Sequence, residues 1–156
     1  MISVEGDIYY FTRTGNSKTI ANKLAERIDA DIFQIHDVEF DYSGFSGWIY
    51  GGYYALKDYA SEIDYQTGNR DRIYLITPVW ARKIPPAVRS FIKEFDFNGK
   101  EVVLIANMAA SKSKVFNVLT ELLADYDVDI LEHVIIEAAD VEQSEIILEQ
   151  LLKKIS

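Results

Sequence analysis

The chain has no cysteine, only two histidines (His36 and His133), three prolines and no apolar run near the ~20 residues of a membrane span. Each shortage removes a class of function. Without cysteine there is no disulfide framework, no thiolate-held zinc or iron–sulfur cluster, and no cysteine nucleophile. Two histidines far apart in sequence do not make a histidine-rich metal site, and no metal is expected. The first residues, MISVEGDIYY, lack the basic-then-apolar order of a secretory signal. The expectation is a cytoplasmic protein that makes no contact with a membrane.

What is present fits one domain over residues 1–156, with 49% hydrophobic and 13% aromatic residues to fill a core. The net charge of −9 is unevenly placed: ten acids and no Lys or Arg fall between Val115 and Leu152, leaving fifteen acids and sixteen bases elsewhere. With no basic stripe, no nucleic-acid partner is expected. The acidic block reads as a solvated face that aids solubility.

Apolar runs of strand length recur at Ile8–Phe11, Ile32–Ile35, Ile73–Thr77, Val102–Ala106 and Val128–Ile136, with helical stripes between them. Val88, Phe91, Ile92 and Phe95 form one such stripe, and Pro85-Pro86 marks its start, where a missing N–H costs nothing. Several runs are continuously apolar, as in a parallel sheet covered on both faces. Strict alternation then predicts a five-stranded α/β/α sandwich in three layers. One segment fits less well. Residues 42–65 hold six of the ten tyrosines and four of the eight glycines. Gly52–Ile63 reads as a helix, whereas the part before it carries too much glycine for a long one.

In parallel sheets, ligands sit beyond the carboxyl ends of the strands, so three loops matter. The first, Thr12-Arg13-Thr14-Gly15-Asn16-Ser17, leads straight into a helix. It offers three hydroxyls, a glycine for a tight turn and the unpaired N–H groups of a helix start, which together favour an anion. It is neither G-x-x-x-x-G-K-[ST] nor G-x-G-x-x-G. A phospho-receiver domain would need acids at the strand ends, where this chain has Thr12 and Thr77-Pro78.

That loop resembles the phosphate-binding loop T-x-T-G-N-[ST] of the flavodoxin family, at the expected place, and the length and element order are similar to short-chain flavodoxins throughout. The resemblance implies strand order 2-1-3-4-5 and FMN at the switch point between the first and third strands. Thr12, Thr14, Asn16 and Ser17 side chains, with the backbone from Arg13 through Gly15 to Ser17, would hold the phosphate. Pro78, Val79, Trp80, Ala81 and Arg82 resemble the loop that embraces the flavin ring, with Trp80 as its flat apolar partner. Relatives often carry glycine just after this Trp; Ala81 and Arg82 stand there instead, and a positive φ is costly for both. Asn107, Met108 and Ala109 open a third loop, continuing through Ala110 and Ser111, that lacks the aromatic many flavodoxins place there. The second ring face would then be open to substrate or covered from the aromatic segment.

Nothing resembles a nucleophile or a tuned general base, so no catalytic side chain is expected. The implied function is FMN-dependent electron transfer to a redox protein partner. The alternatives are an NAD(P)H-dependent quinone or flavin reductase and a non-redox binding module. A rim of Arg13, Lys18, Arg82, Lys83 and Lys112 would suit an anionic substrate, a nicotinamide phosphate or an acidic protein partner. Monomer and homodimer both remain open.

Overall fold

The computed structural model describes residues 4–109 and 114–156. In chain order the elements are β1 (Glu5–Tyr10), α1 (Asn16–Ala25), β2 (Asp29–Gln34), β3 (His36–Asp37), α2 (Gly44–Leu56), β4 (Ile63–Asp64), β5 (Arg72–Pro78), α3 (Pro86–Glu94), β6 (Lys100–Met108), α4 (Val115–Leu123), β7 (Val128–Glu137), a 3-10 turn (Ala138–Gln143) and α5 (Glu145–Ile155). Five strands form one parallel sheet in the order β2-β1-β5-β6-β7. Counting sheet strands alone, this is the expected 2-1-3-4-5.

Side chains alternate across the sheet and divide the core in two. Ile8 and Tyr10 of β1, with Tyr74, Ile76, Val103 and Ile105, pack beneath Ile20 and Leu24 of α1 and Leu148 and Leu151 of α5. Tyr9, Leu75, Val102 and Leu104 face the other way, against Val88, Phe91 and Ile92 of α3 and Leu119 and Leu123 of α4. The central strands are sealed on both sides: Ile73 to Thr77 and Val102 to Asn107 are all buried. α3 starts at Pro86 as read from the sequence, and Gly99 turns the chain into β6 with φ 78°.

Two features depart from the sequence reading. A short antiparallel ribbon pairs β3 with β4 outside the main sheet. The second departure is a correction: the glycine-rich run is itself the helix, Gly44–Leu56, and the chain from Lys57 to Glu62 is not helical. Glycine is used there for close approach. A Cβ on Gly47 would lie 2.2 Å from the Tyr42 carbonyl carbon, and one on Gly51 would lie 3.1 Å from the Trp80 ring. Packing against the Tyr42 backbone overrides poor helix propensity.

The acidic block is partly tied down. Lys23 of α1 pairs with Glu145, holding that carboxylate below its usual range, and Arg27 reaches Glu149 at 3.4 Å. Thus α1 and α5 are laced across their outer faces. His36 is exposed in β3, and His133, exposed in β7, has its ring 4.3 Å from that of Phe116.

Candidate functional site

The turn after β1 is built by its own side chains. Thr12 Oγ1 accepts the Gly15 N–H at 2.9 Å, closing a tight loop. Gly15 then sits at φ 99°, a conformation open to glycine at little cost, and is the residue preceding α1. Among the described residues no side chain caps α1, so its first N–H groups and the positive end of its dipole face the carboxyl end of β1. Thr14 is exposed beside them. Arg13 turns elsewhere: its Nε and Nη2 donate to the Tyr42 and Gly44 carbonyls at 2.8 and 2.9 Å, tying the loop to the start of α2.

Ser17 faces inward. Buried, it accepts a hydrogen bond from the Asn107 amide at 2.8 Å, and the same amide reaches the Thr77 carbonyl at 3.4 Å. Asn107 therefore fastens the ends of β5 and β6 to the first turn of α1. The resemblance put the Ser17 side chain on the phosphate and Asn107 in the third flavin loop; here their bonding groups are turned to each other.

The loop after β5 reverses through Trp80-Ala81-Arg82-Lys83. Trp80 and Lys83 exchange two backbone hydrogen bonds of 2.8 Å, and Ala81 and Arg82 both have positive φ, 50° and 65°. Two left-handed central residues make a type I′ turn, normally built with Asn or Gly. The costly conformation is thus adopted by both side-chain-bearing residues. A clamp holds it: Lys83 Nζ contacts Asp58 Oδ1 at 2.7 Å, and Arg89 reaches the same oxygen at 3.1 Å. The hydrogen bond from Lys83, with both cations nearby, keeps the Asp58 carboxyl below its usual range. Ala81→Gly should relieve roughly 1–2 kcal/mol of left-handed strain and return about half of that as unfolded-chain entropy. The expected outcome is a melting temperature higher by about 2 °C for ~0.7 kcal/mol, read by calorimetry.

Trp80 is half-buried and wedged. Its ring meets Tyr42 edge-on at 4.8 Å and Phe11 at 5.6 Å, while Gly51 lets α2 come close. Tyr42 is fixed in turn, its hydroxyl donating to Asp37 Oδ2 at 2.5 Å beside the Ser61 hydroxyl at 2.7 Å. Burial, then this carboxylate, push the Tyr42 phenol well above its ordinary range.

These loops and α2 enclose a cavity of about 730 Å³. Thr12, Arg13, Thr14 and Asn16 line one end; Pro78, Val79, Trp80 and Ala81 line the middle; Asn107, Met108 and Ala109 close the far side. Of the expected site residues, Gly15, Ser17 and Arg82 do not line it. The fourth wall comes from the aromatic segment, one of the two alternatives the sequence left for the second ring face, with no residue named. It is α2, which contributes Trp48, Ile49, Tyr53 and Leu56. These side chains and Phe45 are each more than half exposed, on a helix without a charged residue. Their spacing, 45-48-49-52-53-56 with Gly52, is one helical face, and reading it required recognising the helix first.

The expected basic rim is only partly free. Arg13 is spent on backbone carbonyls and Lys83 on Asp58, while Lys18 and Arg82 are exposed without an ion-pair partner among the described residues. Lys112, and Ala110 and Ser111 of the third loop, lie outside the described residues. No group of three or more His, Asp or Glu among the described residues is placed to hold a metal, and no described helix is long and apolar enough to cross a membrane.

No family model matches the chain. An uncharacterized protein of Archaeoglobus fulgidus is 30% identical over 99 residues, spanning 64% of this chain and 62% of that protein. Among solved structures, a putative flavoprotein from Bacteroides uniformis superposes with a TM-score of 0.80 at 20% identity, covering 97% of this chain and 99% of that one. A flavoprotein in complex with FMN from Lactobacillus acidophilus gives 0.71 at 15% identity, over 91% and 98%. Two-electron reduced Megasphaera elsdenii flavodoxin gives 0.57 at 15%, over 94% and 99%. With the sheet order and layers above, the fold is flavodoxin-like.

Proposed function

We propose that this flavodoxin-like chain binds FMN in the cavity at the β1/β5 switch point and serves in electron transfer. The observation that carries this is the pairing of two unlike surfaces in one cavity. At one end a left-handed Gly15 opens an uncapped helix start, suited to a phosphate. Beside it, Trp80 and the apolar face of α2 form walls suited to a large flat ring. A phosphate joined to a flat aromatic system answers both needs. Thr14, Asn16 and the backbone from Arg13 to Ser17 would hold the phosphate; Trp80, Val79 and Trp48 would border the ring. When bound, FMN supplies one- and two-electron redox chemistry. The chain supplies binding and orientation: Arg13 sets α2 against the loop, Asn107 ties the ends of β5 and β6 to Ser17 in the first turn of α1, and the Asp58 clamp braces the Trp80 turn.

Binding is tested with FMN and riboflavin side by side. The ligand-free protein should prefer FMN, and Gly15→Val should weaken FMN far more than riboflavin, since the strain falls on the phosphate end. Equal losses for both ligands would place the loop outside the site. Trp80→Ala should raise the FMN dissociation constant about tenfold, from ~0.5–1.5 kcal/mol of ring geometry plus lost apolar contact. Flavin fluorescence quenched in the parent should recover in saturated Trp80→Ala; equal fluorescence of the two would remove Trp80 from the ring.

One observation supports a second reading, an NAD(P)H-dependent quinone or flavin reductase. The α2 wall is broad, apolar and open to solvent, as a small-molecule acceptor would require. Steady-state oxidation of NADPH with a quinone by the FMN-loaded protein separates the readings: rapid turnover favours the reductase, and its absence leaves electron transfer to a redox protein partner.

A further inference from the structure

Behind the Trp80 wall, between the cavity and the surface, two tyrosines that do not line the cavity have hydroxyls with defined partners. Packing alone asks only for rings. Tyr42 is buried and directs its hydroxyl to Asp37 Oδ2 at 2.5 Å. Tyr59, partly exposed, directs its own to Glu39 Oε2. Phe40 lies between the two, with ring centroids 5.8 Å from Tyr42 and 5.7 Å from Tyr59. On the cavity side, Tyr42 meets Trp80 at 4.8 Å, and Trp80 lines the cavity wall. A phenol gives up an electron readily only if its proton has somewhere to go, and each of these phenols already points at a carboxylate.

We propose that Trp80, Tyr42 and Tyr59 form a path that carries a one-electron oxidising equivalent from the cavity to the surface, with Asp37 and Glu39 as proton acceptors. The first step moves one electron from the Trp80 indole to an oxidant in the cavity, leaving the indole radical cation. Tyr42 then returns an electron to Trp80; its O–H bond breaks and the proton passes to Asp37, giving a neutral tyrosyl radical and a protonated carboxyl group. In the last step Tyr59 gives an electron to Tyr42, which takes its proton back from Asp37, while the Tyr59 proton passes to Glu39. The net change is one electron to the oxidant, a radical on Tyr59 and a proton on Glu39. The oxidant is a one-electron acceptor; a photoexcited oxidised flavin is the case the proposed function supplies, and only that choice rests on the FMN reading. Burial holds Tyr42 as a neutral phenol until it is oxidised.

The test uses ligand-free protein carrying Trp48→Phe, which leaves Trp80 as its one tryptophan, and azidyl radicals from pulse radiolysis as the oxidant. The Trp80 radical should decay in a first-order process, independent of protein concentration, as a tyrosyl signal rises, and the conversion should slow in deuterated solvent. Adding Tyr42→Phe, which keeps the ring, should abolish that conversion, leaving slow bimolecular decay. Conversion at the parent rate in Tyr42→Phe overturns the path. A second variant needs no change in the core: Tyr59→Phe should leave the tyrosyl signal but protect it from a bulky surface reductant. A radical quenched equally fast with and without Tyr59 would also overturn the path. A protein that fails to bind FMN yet shows both effects would sink the cofactor assignment and leave this path standing.

Discussion

Adding FMN to the ligand-free protein is expected to raise its melting temperature by roughly 8–16 °C. A ligand that binds only the native state stabilises it by RT ln(1 + [L]/Kd), about 4 kcal/mol when free FMN is ~1,000 times its dissociation constant. At this chain length each kcal/mol moves the midpoint by roughly 2–4 °C. The loops that line the cavity are tied to one another by a small set of polar side chains, Asn107 to Ser17, Arg13 to two carbonyls and the Asp58 clamp, beside the packing of Trp80 on Tyr42 and Phe11. A bound ligand would bridge the β1 loop, the β5 loop and α2, and shield apolar side chains that otherwise face water. Riboflavin should give a smaller shift, because it engages the ring walls and leaves the helix start unfilled. Scanning calorimetry across an FMN series checks both. No shift at any concentration, with no yellow chromophore retained on purification, would remove FMN from this cavity.

The parts of the molecule that were legible in the sequence are those where a residue's identity carries its structural reason. Five runs of strand length marked the sheet, the continuously apolar ones becoming its sealed central strands, and Pro85-Pro86 marked a helix start. The tight turn around Gly15 was legible because local chemistry suffices to build it: Thr12 closes it and Gly15 takes the positive φ. The rest depends on partners distant in sequence. α2 was obscured because Gly47 and Gly51 read as helix breakers, while their purpose is the approach of Tyr42 and Trp80. With the helix went its exposed face, so the aromatic segment stood as one alternative cover for the ring without the residues that line the cavity. The Arg13 side chain read as part of a basic rim; its binding to the Tyr42 and Gly44 carbonyls, some thirty residues on, leaves no local trace. The positive φ of Ala81 and Arg82 was illegible for the opposite reason: side chains normally advertise avoidance of that conformation, and here a lysine–aspartate clamp imposes it.

At the opposite end of the sheet, Arg70→Ala is expected to cost about 3–5 kcal/mol, the penalty for leaving a buried charge without its partner. Asp7 is 1% exposed at the start of β1. Its Oδ1 accepts from Arg70 Nη1 at 3.0 Å and its Oδ2 from the Arg70 backbone N–H at 3.0 Å. The same guanidinium reaches Asp31 at 2.8 Å and Asp29 at 3.5 Å, so one cation serves three carboxylates. Those two are largely exposed and can return to water at little cost. Asp7 cannot, because Gly68 packs so closely against it that an added Cβ would lie 2.3 Å from Oδ2. The loss should therefore trace to Asp7 alone, which a second substitution can show. Asp7→Asn removes the charge and keeps an oxygen for the residue-70 N–H, so Asp7→Asn combined with Arg70→Ala should recover a large part of the loss. Urea unfolding of the four proteins in the cycle provides the measurement. A double variant no more stable than Arg70→Ala would mean that the guanidinium acts through packing or through Asp29 and Asp31. A single variant within ~1 kcal/mol of the parent would mean that solvent reaches Asp7 after all.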